Sequence, residues 1–488
     1  MKNITHRITS LLRGNRIGLI ALVTLTLLTS VTLVLSKSIT PPDGPKPVLF
    51  KPPATNGVTL TGKLSQTKLV QHGLQTLYLD VTMSAPEVKA AAATAAGATD
   101  IIVVLDRSGS MGEANKLPFA KAAIREIVAR LNASDRFALV SFDNQAVVNA
   151  PLQSVSDDQR DRVNQMIEAI GPGGGTNLGD GLLKARELLN TTTANRGRKV
   201  ILLSDGQANQ GITAPDQLAA IARQITTHEA VLSTIGMGLG FNETLMASLA
   251  DHGMGGYGYL EHLDGLDKIL IQQLRESRNV YASASRLLID LGEGVRLVDA
   301  GGYPVNDDGG ARRSITTGQL LGGQQKRFVI TLTVPVDQLA SYSVAELALE
   351  YQHDGVARNA AFSGEPLKVA VVAPERRQEA TASIDEAVYQ KSWVENNFGR
   401  MKKALSQSLR AGDKAKAEKV IKEYRQSVNE AQAAAPSVAI KSEELERELD
   451  DMEAKVGESF SGGRDEQLVK QNRAAKKMQL EGIVKQRK

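Results

Sequence analysis

The stretch Val103–Gly112, VVLDRSGSMG, runs an apolar segment into an aspartate and then sets two hydroxyls, Ser108 and Ser110, at two-residue spacing among glycines. The apolar residues begin at Ile101. A short continuous apolar run that stops at turn residues is the pattern of a strand buried on both faces. An aspartate and two serines at the end of such a strand fit a turn, a nucleophile site or one part of a metal site. The surrounding segments decide among these.

From Asp100 to about Ser277 the same rhythm repeats. Apolar runs IIVVLD, RFALVSF, AVVNAPL, KVILLSD, AVLSTIGMG and YGYLEHL alternate with amphipathic stretches that start near Leu117, Asp157, Leu178, Ala214, Asn242 and Leu266. This alternation predicts an α/β domain with a mostly parallel central sheet and helices on both faces. Such sheets gather ligands outside the carboxyl ends of their strands. Two more loops offer oxygen there: GPGGGTNLGDGL places Thr176 after a glycine run, and VILLSDGQAN places Asp205 at a strand end. Asp106, Ser108, Ser110, Thr176 and Asp205 form an all-oxygen donor set without imidazole or thiol, which suits Mg²⁺, with Mn²⁺ or Ca²⁺ as competitors. The plainer reading is that these residues cap turns and helices.

Taken together, DRSGSMG, GGGTN and LLSDG resemble the von Willebrand factor A family and its metal-ion-dependent adhesion site. The resemblance covers about residues 98–278 and implies a Rossmann-like domain. It also implies that Ser108, Ser110 and Thr176 touch the metal directly in a ligand-bound state, that Asp106 and Asp205 act largely through water, and that one coordination position is left for an acidic group of a protein partner. Neutral hydroxyls beside the metal keep it electrophilic, so a partner's Asp or Glu is attracted rather than repelled. The expected function is binding, adhesion or assembly without enzymatic activity. A metal-assisted hydrolase is one alternative, but the sequence nominates no general base for it. The other is a structural assembly factor acting through a helical tail.

Competing motifs are incomplete. GVTLTGKLS, from Gly57, has Leu64 where a phosphate-binding loop needs a hydroxyl, and HEAVL at His228 lacks the second histidine of a zinc-protease helix. Ser108 lacks the G-x-S-x-G setting of a hydrolase nucleophile. Asp143, in SFDNQA, reads as a hairpin turn residue.

The flanks differ in kind. Residues 17–36 carry no charge over a length that spans a bilayer as a helix, and Lys2, Arg7, Arg13 and Arg16 precede them. They are expected to form an uncleaved transmembrane anchor, with residues 1–16 cytoplasmic and the bulk of the chain outside the cytoplasmic membrane. Six prolines make 37–56 an extended linker. Alternating runs at 57–89 and 280–373 predict a β-sandwich into which, or beside which, the 98–278 domain is inserted. Residues 374–488 read as charged helices with a narrow apolar stripe. A net charge of +4 over 488 residues gives no field for nucleic acid, and the absence of cysteine excludes disulfides and thiolate sites. Oligomeric state leaves no mark on the sequence.

Overall fold

The computed structural model describes residues 57–87, 98–191, 196–205, 207–238, 240–260 and 265–486. The expected anchor at 17–36 and the linker at 37–56 lie outside the described residues. Among the described residues no helix is long and apolar enough to cross a membrane.

Among the described residues three strands come first: β1 (Thr59–Leu64), β2 (Lys68–Val70) and β3 (Leu74–Ser84). The α/β domain follows as β4 (Thr99–Asp106), α1 (Lys116–Ala129), β5 (Arg136–Phe142), β6 (Ala146–Ser154), α2 (Asp157–Glu168), α3 (Leu178–Leu189), β7 (Gly197–Ser204), α4 (Pro215–Thr226), β8 (Ala230–Met237), α5 (Glu243–His252), β9 (Met254–Leu260) and α6 (Leu266–Arg278). Its six strands lie in the order β6-β5-β4-β7-β8-β9. Every pairing is parallel except β5 with β6, a short hairpin at the edge. All eight residues of β4 are buried, as its apolar run requires.

Period-two alternation divides β4 between two cores. Ile101, Val103 and Leu105 pack with residues of α1, α2 and α6, whereas Ile102 and Val104 pack with α3, α4 and α5. The layers approach closely at α3, where a Cβ on Gly181 would lie 2.8 Å from the Phe142 ring. Strand order reverses at β4, which opens a crevice at the carboxyl ends of β4 and β7. At the opposite end Asp135 fastens the domain's entry and exit together: its carboxylate accepts the Thr99 amide at 3.0 Å and pairs with Arg278.

The chain then returns to antiparallel structure with β10 (Val280–Leu291), β11 (Arg296–Asp299), β12 (Val305–Asp307), β13 (Arg312–Leu321), β14 (Gln325–Pro335), β15 (Ser341–Ser343), β16 (Ala345–His353), β17 (Val356–Ala361) and β18 (Lys368–Val372). Strand β3, before the α/β domain, pairs antiparallel with β14, after it, from Ser84↔Gln325 to Leu74↔Pro335. The resulting sheet, β1-β3-β14-β11, encloses one apolar core with the sheet β12-β13-β10-β16-β17. Leu77, Leu79, Val81 and Met83, at every second position of β3, supply one side of that core and Leu287, Ile289, Leu347 and Leu349 the other.

Five helices close the chain: α7 (Arg377–Ala382), α8 (Glu386–Arg410), α9 (Lys414–Ala434), α10 (Glu443–Ser459) and α11 (Arg464–Gln486). Asp385, Asp413 and Ser442 cap α8, α9 and α10 by accepting an amide three residues on. Tyr78 of β3 and Val329 of β14 join Trp393, Phe398 and Tyr424 in the apolar cluster of these helices, so α8 covers the outer face of that sheet. Beside them Arg327 bridges Asp80 and Glu395. Farther along, α8 and α11 reach the α/β domain at Glu243, the first residue of α5. Arg410 pairs with it at 2.6 Å and Lys476 at 2.9 Å. Lys476 also donates to the Phe241 carbonyl and lies 4.0 Å over the Phe241 ring.

Candidate metal centre

The carboxyl end of β4 delivers Asp106 into the crevice, and the chain then turns through Ser108 to Gly112. Asp106 is fully buried. One carboxylate oxygen accepts the Ser108 amide at 2.8 Å and the other the Ser204 hydroxyl at 2.5 Å. Burial raises the Asp106 carboxyl above its ordinary range, while the bonds from Ser204 and Ser108 act in the opposite direction. Ser108 Oγ and Ser110 Oγ lie 3.2 Å apart, and Ser110 Oγ donates to Asp205 Oδ1 at 2.9 Å. Asp205 follows the last residue of β7. Two carboxylates and three hydroxyls from β4, β7 and their loops thus form one hydrogen-bonded cluster.

Thr176 enters on a third loop, laid directly against the first. The Gly109 amide donates to the Gly174 carbonyl at 3.0 Å and the Gly173 amide to the Arg107 carbonyl at 2.6 Å. The glycine run makes this approach feasible: a Cβ on Gly173 would fall 2.1 Å from Asp143 Oδ2, and one on Gly174 2.4 Å from Asn144 Nδ2. Asn209 holds Thr176 from the other side, accepting its amide at 2.8 Å and donating to its carbonyl at 3.1 Å. Thr176, Ser108 and Asp205 are each at most 3% exposed.

Several residues that shape the site carry no motif. Asp143 does form the β5–β6 turn, yet it also pairs with Arg107 at 2.8 Å and its carbonyl accepts the Asn177 amide, which joins three loops. Asn144, Asn209 and Lys116 are equally silent in the sequence, because each is defined by a partner more than thirty residues away; Ser204 stands inside LLSDG, but its bond to Asp106 joins residues 98 positions apart. Lys116 donates to Asp205 Oδ2 at 2.5 Å and to the Ser110 carbonyl at 3.1 Å. The donor chemistry fits a hard divalent cation: oxygen atoms only, nearly buried, held by neighbours that fix their positions. His228 lies after α4, where its carbonyl accepts from Arg198, and it has no part in this cluster.

A doubly wound α/β sheet with a hydroxyl and carboxylate cluster at its switch point defines a class of ligand-binding domain. Residues 100–262 match the family model for the von Willebrand factor type A domain, and the chain contains such a domain. Over 181 residues it is 28% identical to YfbK of Escherichia coli K12, covering 37% of this chain and 31% of that protein. It is 22% identical to sll0103 of a Synechocystis strain over 328 residues, covering 64% of this chain and 75% of that one. The chain therefore spans about a third of the length of YfbK. Its fold is also similar to the solved structure of a von Willebrand factor type A protein from Catenulispora acidiphila, with a TM-score of 0.61 at 16% identity, covering 78% of this chain and 90% of that one. Domains of this family mainly mediate protein–protein interactions and commonly bind a divalent metal at their adhesion site.

Proposed function

We propose that this chain is a membrane-anchored, extracytoplasmic binding protein in which Asp106, Ser108, Ser110, Thr176 and Asp205 hold a divalent cation, Mg²⁺ in the first instance, that receives an Asp or Glu of a protein partner. When bound, the metal supplies a Lewis-acidic point of attachment for that carboxylate. The observation that carries this reading is the single hydrogen-bonded cluster of Asp106, Ser108, Ser110 and Asp205, with the Thr176 loop bonded against it. Ser108, Ser110 and Thr176 would provide uncharged donors, and Asp106 and Asp205 would supply the negative charge of the site. Attachment through residues 17–36 would present the binding face outside the cytoplasmic membrane, and the uncharged run there is the support for it.

Partner capture from solubilised membranes with and without chelator tests the proposal. Capture is expected to need Mg²⁺ and to be lost in Ser108→Ala and Thr176→Ala. Added Mg²⁺ should also raise the melting temperature of the unsubstituted protein and leave those variants unchanged. Capture that ignores chelator and both substitutions would sink the reading. Reporters fused after residue 40 and at the C-terminus test topology, and a cytoplasmic C-terminus would overturn the localisation.

A further inference from the structure

We infer that Lys116 is a resident cation of the metal site that weakens its hold on metal alone and couples metal binding to an acidic ligand; the inference rests on the metal-site reading above. Its ammonium occupies one oxygen of Asp205, the other oxygen being taken by Ser110 Oγ. The Asp205 side chain is fully buried and that of Lys116 only 12% exposed, so solvent screens the pair poorly.

The backbone places this charge with some effort. Ala114 and Asn115, the two residues before Lys116, both have positive φ, 49° and 58°. Non-glycine residues pay for that conformation, and two in succession mark a turn that its surroundings hold in place. The turn starts α1 with its first side chain aimed back at β7. Gly238 closes the other side: its φ is +75°, and a Cβ there would lie 3.2 Å from Lys116 Cε. A lysine that merely decorated a helix start would need neither constraint.

The charge count gives the consequence. With both carboxylates ionised, Asp106 and Asp205 contribute two negative charges and Lys116 one positive, leaving one negative charge in the cluster. A divalent cation converts this to one positive charge, which a partner's carboxylate neutralises. Without Lys116 the two aspartates would neutralise the metal by themselves, and an incoming carboxylate would meet no surplus positive charge. Lys116 therefore moves binding free energy from the metal to the combination of metal and acid, a coupling between two ligands of one site.

The test is a Mn²⁺ titration of the full chain in detergent, read by electron paramagnetic resonance, with and without saturating sodium acetate as the acidic probe. Unsubstituted protein is expected to bind Mn²⁺ more tightly with acetate than without. Lys116→Met is expected to bind Mn²⁺ alone at least about five-fold tighter and to lose most of the acetate effect. Lys116→Gln retains a donor for Asp205, guards against misfolding of the methionine variant, and should behave the same way. Lys116→Arg keeps the charge and should resemble the unsubstituted protein. Neutral variants that bind Mn²⁺ no tighter, or that keep the full acetate effect, overturn this inference and leave the metal site standing. Absence of Mn²⁺ binding in the unsubstituted protein overturns both.

Discussion

Ser204 shows how much a site can depend on a residue that its motif gives no role. It ends β7 fully buried and spends its hydroxyl on Asp106 Oδ2. Replacing it with alanine strands a buried carboxylate oxygen, so Ser204→Ala should cost about 1–3 kcal/mol in chemical denaturation. Asn209→Ala should spare stability more but release the Thr176 loop, and its weakened Mn²⁺ binding would be read by the same resonance titration. At this scale the sequence was legible where local pattern carries the information. The spacing Asp106, Ser108, Ser110 follows from one strand end, and the glycines before Thr176 announce a tight approach. Asp143 was only half legible: its turn is written locally, whereas its pairing is with Arg107, 36 residues earlier in the chain.

Among the elements, β4 and its neighbours were legible because burial on both faces leaves unbroken apolar runs, and the expected mostly parallel sheet with helices on both faces is what the structure contains. Strands β2, β12 and β15 were not. Each has three residues, too few for any period, and exists only through its partner. Helix α3 carries a further constraint, since Gly181 lets it settle on Phe142 and Val104. Gly181→Val forces the helix away from the sheet and should cost about 1–3 kcal/mol. Because α3 begins two residues after Thr176, Mn²⁺ binding should weaken together with thermal stability. A variant that lost stability with unaltered Mn²⁺ affinity would show that the loop and helix move independently.

Across the whole molecule the helical tail joins two bodies. It covers the outer face of the β1-β3-β14-β11 sheet through Tyr78 and Val329, and it reaches the α/β domain through Glu243. An apolar stripe at three- and four-residue spacing made helices readable in the sequence, but not the surface they cover, since the stripe records burial and not its partner. Lys476→Met removes one of two cations from a buried carboxylate. The loss should fall toward the low end of the roughly 3–5 kcal/mol expected for a broken buried pair, because Arg410 remains. Hydrogen exchange should then quicken in α11 and at the start of α5 while the β4 amides stay protected.

The Asp135 fastening has a mechanical meaning. The chain enters the α/β domain at Thr99 and leaves it at Arg278, both bonded to Asp135 at the end of β4 remote from the oxygen cluster. An eight-residue strand sets those ends about 25 Å apart. Were the proposed partner to pull at the cluster, the force would pass along β4 and divide between two covalent connections and the Glu243 ion pairs. The load would be shared in parallel, and no single peptide link would have to bear it alone.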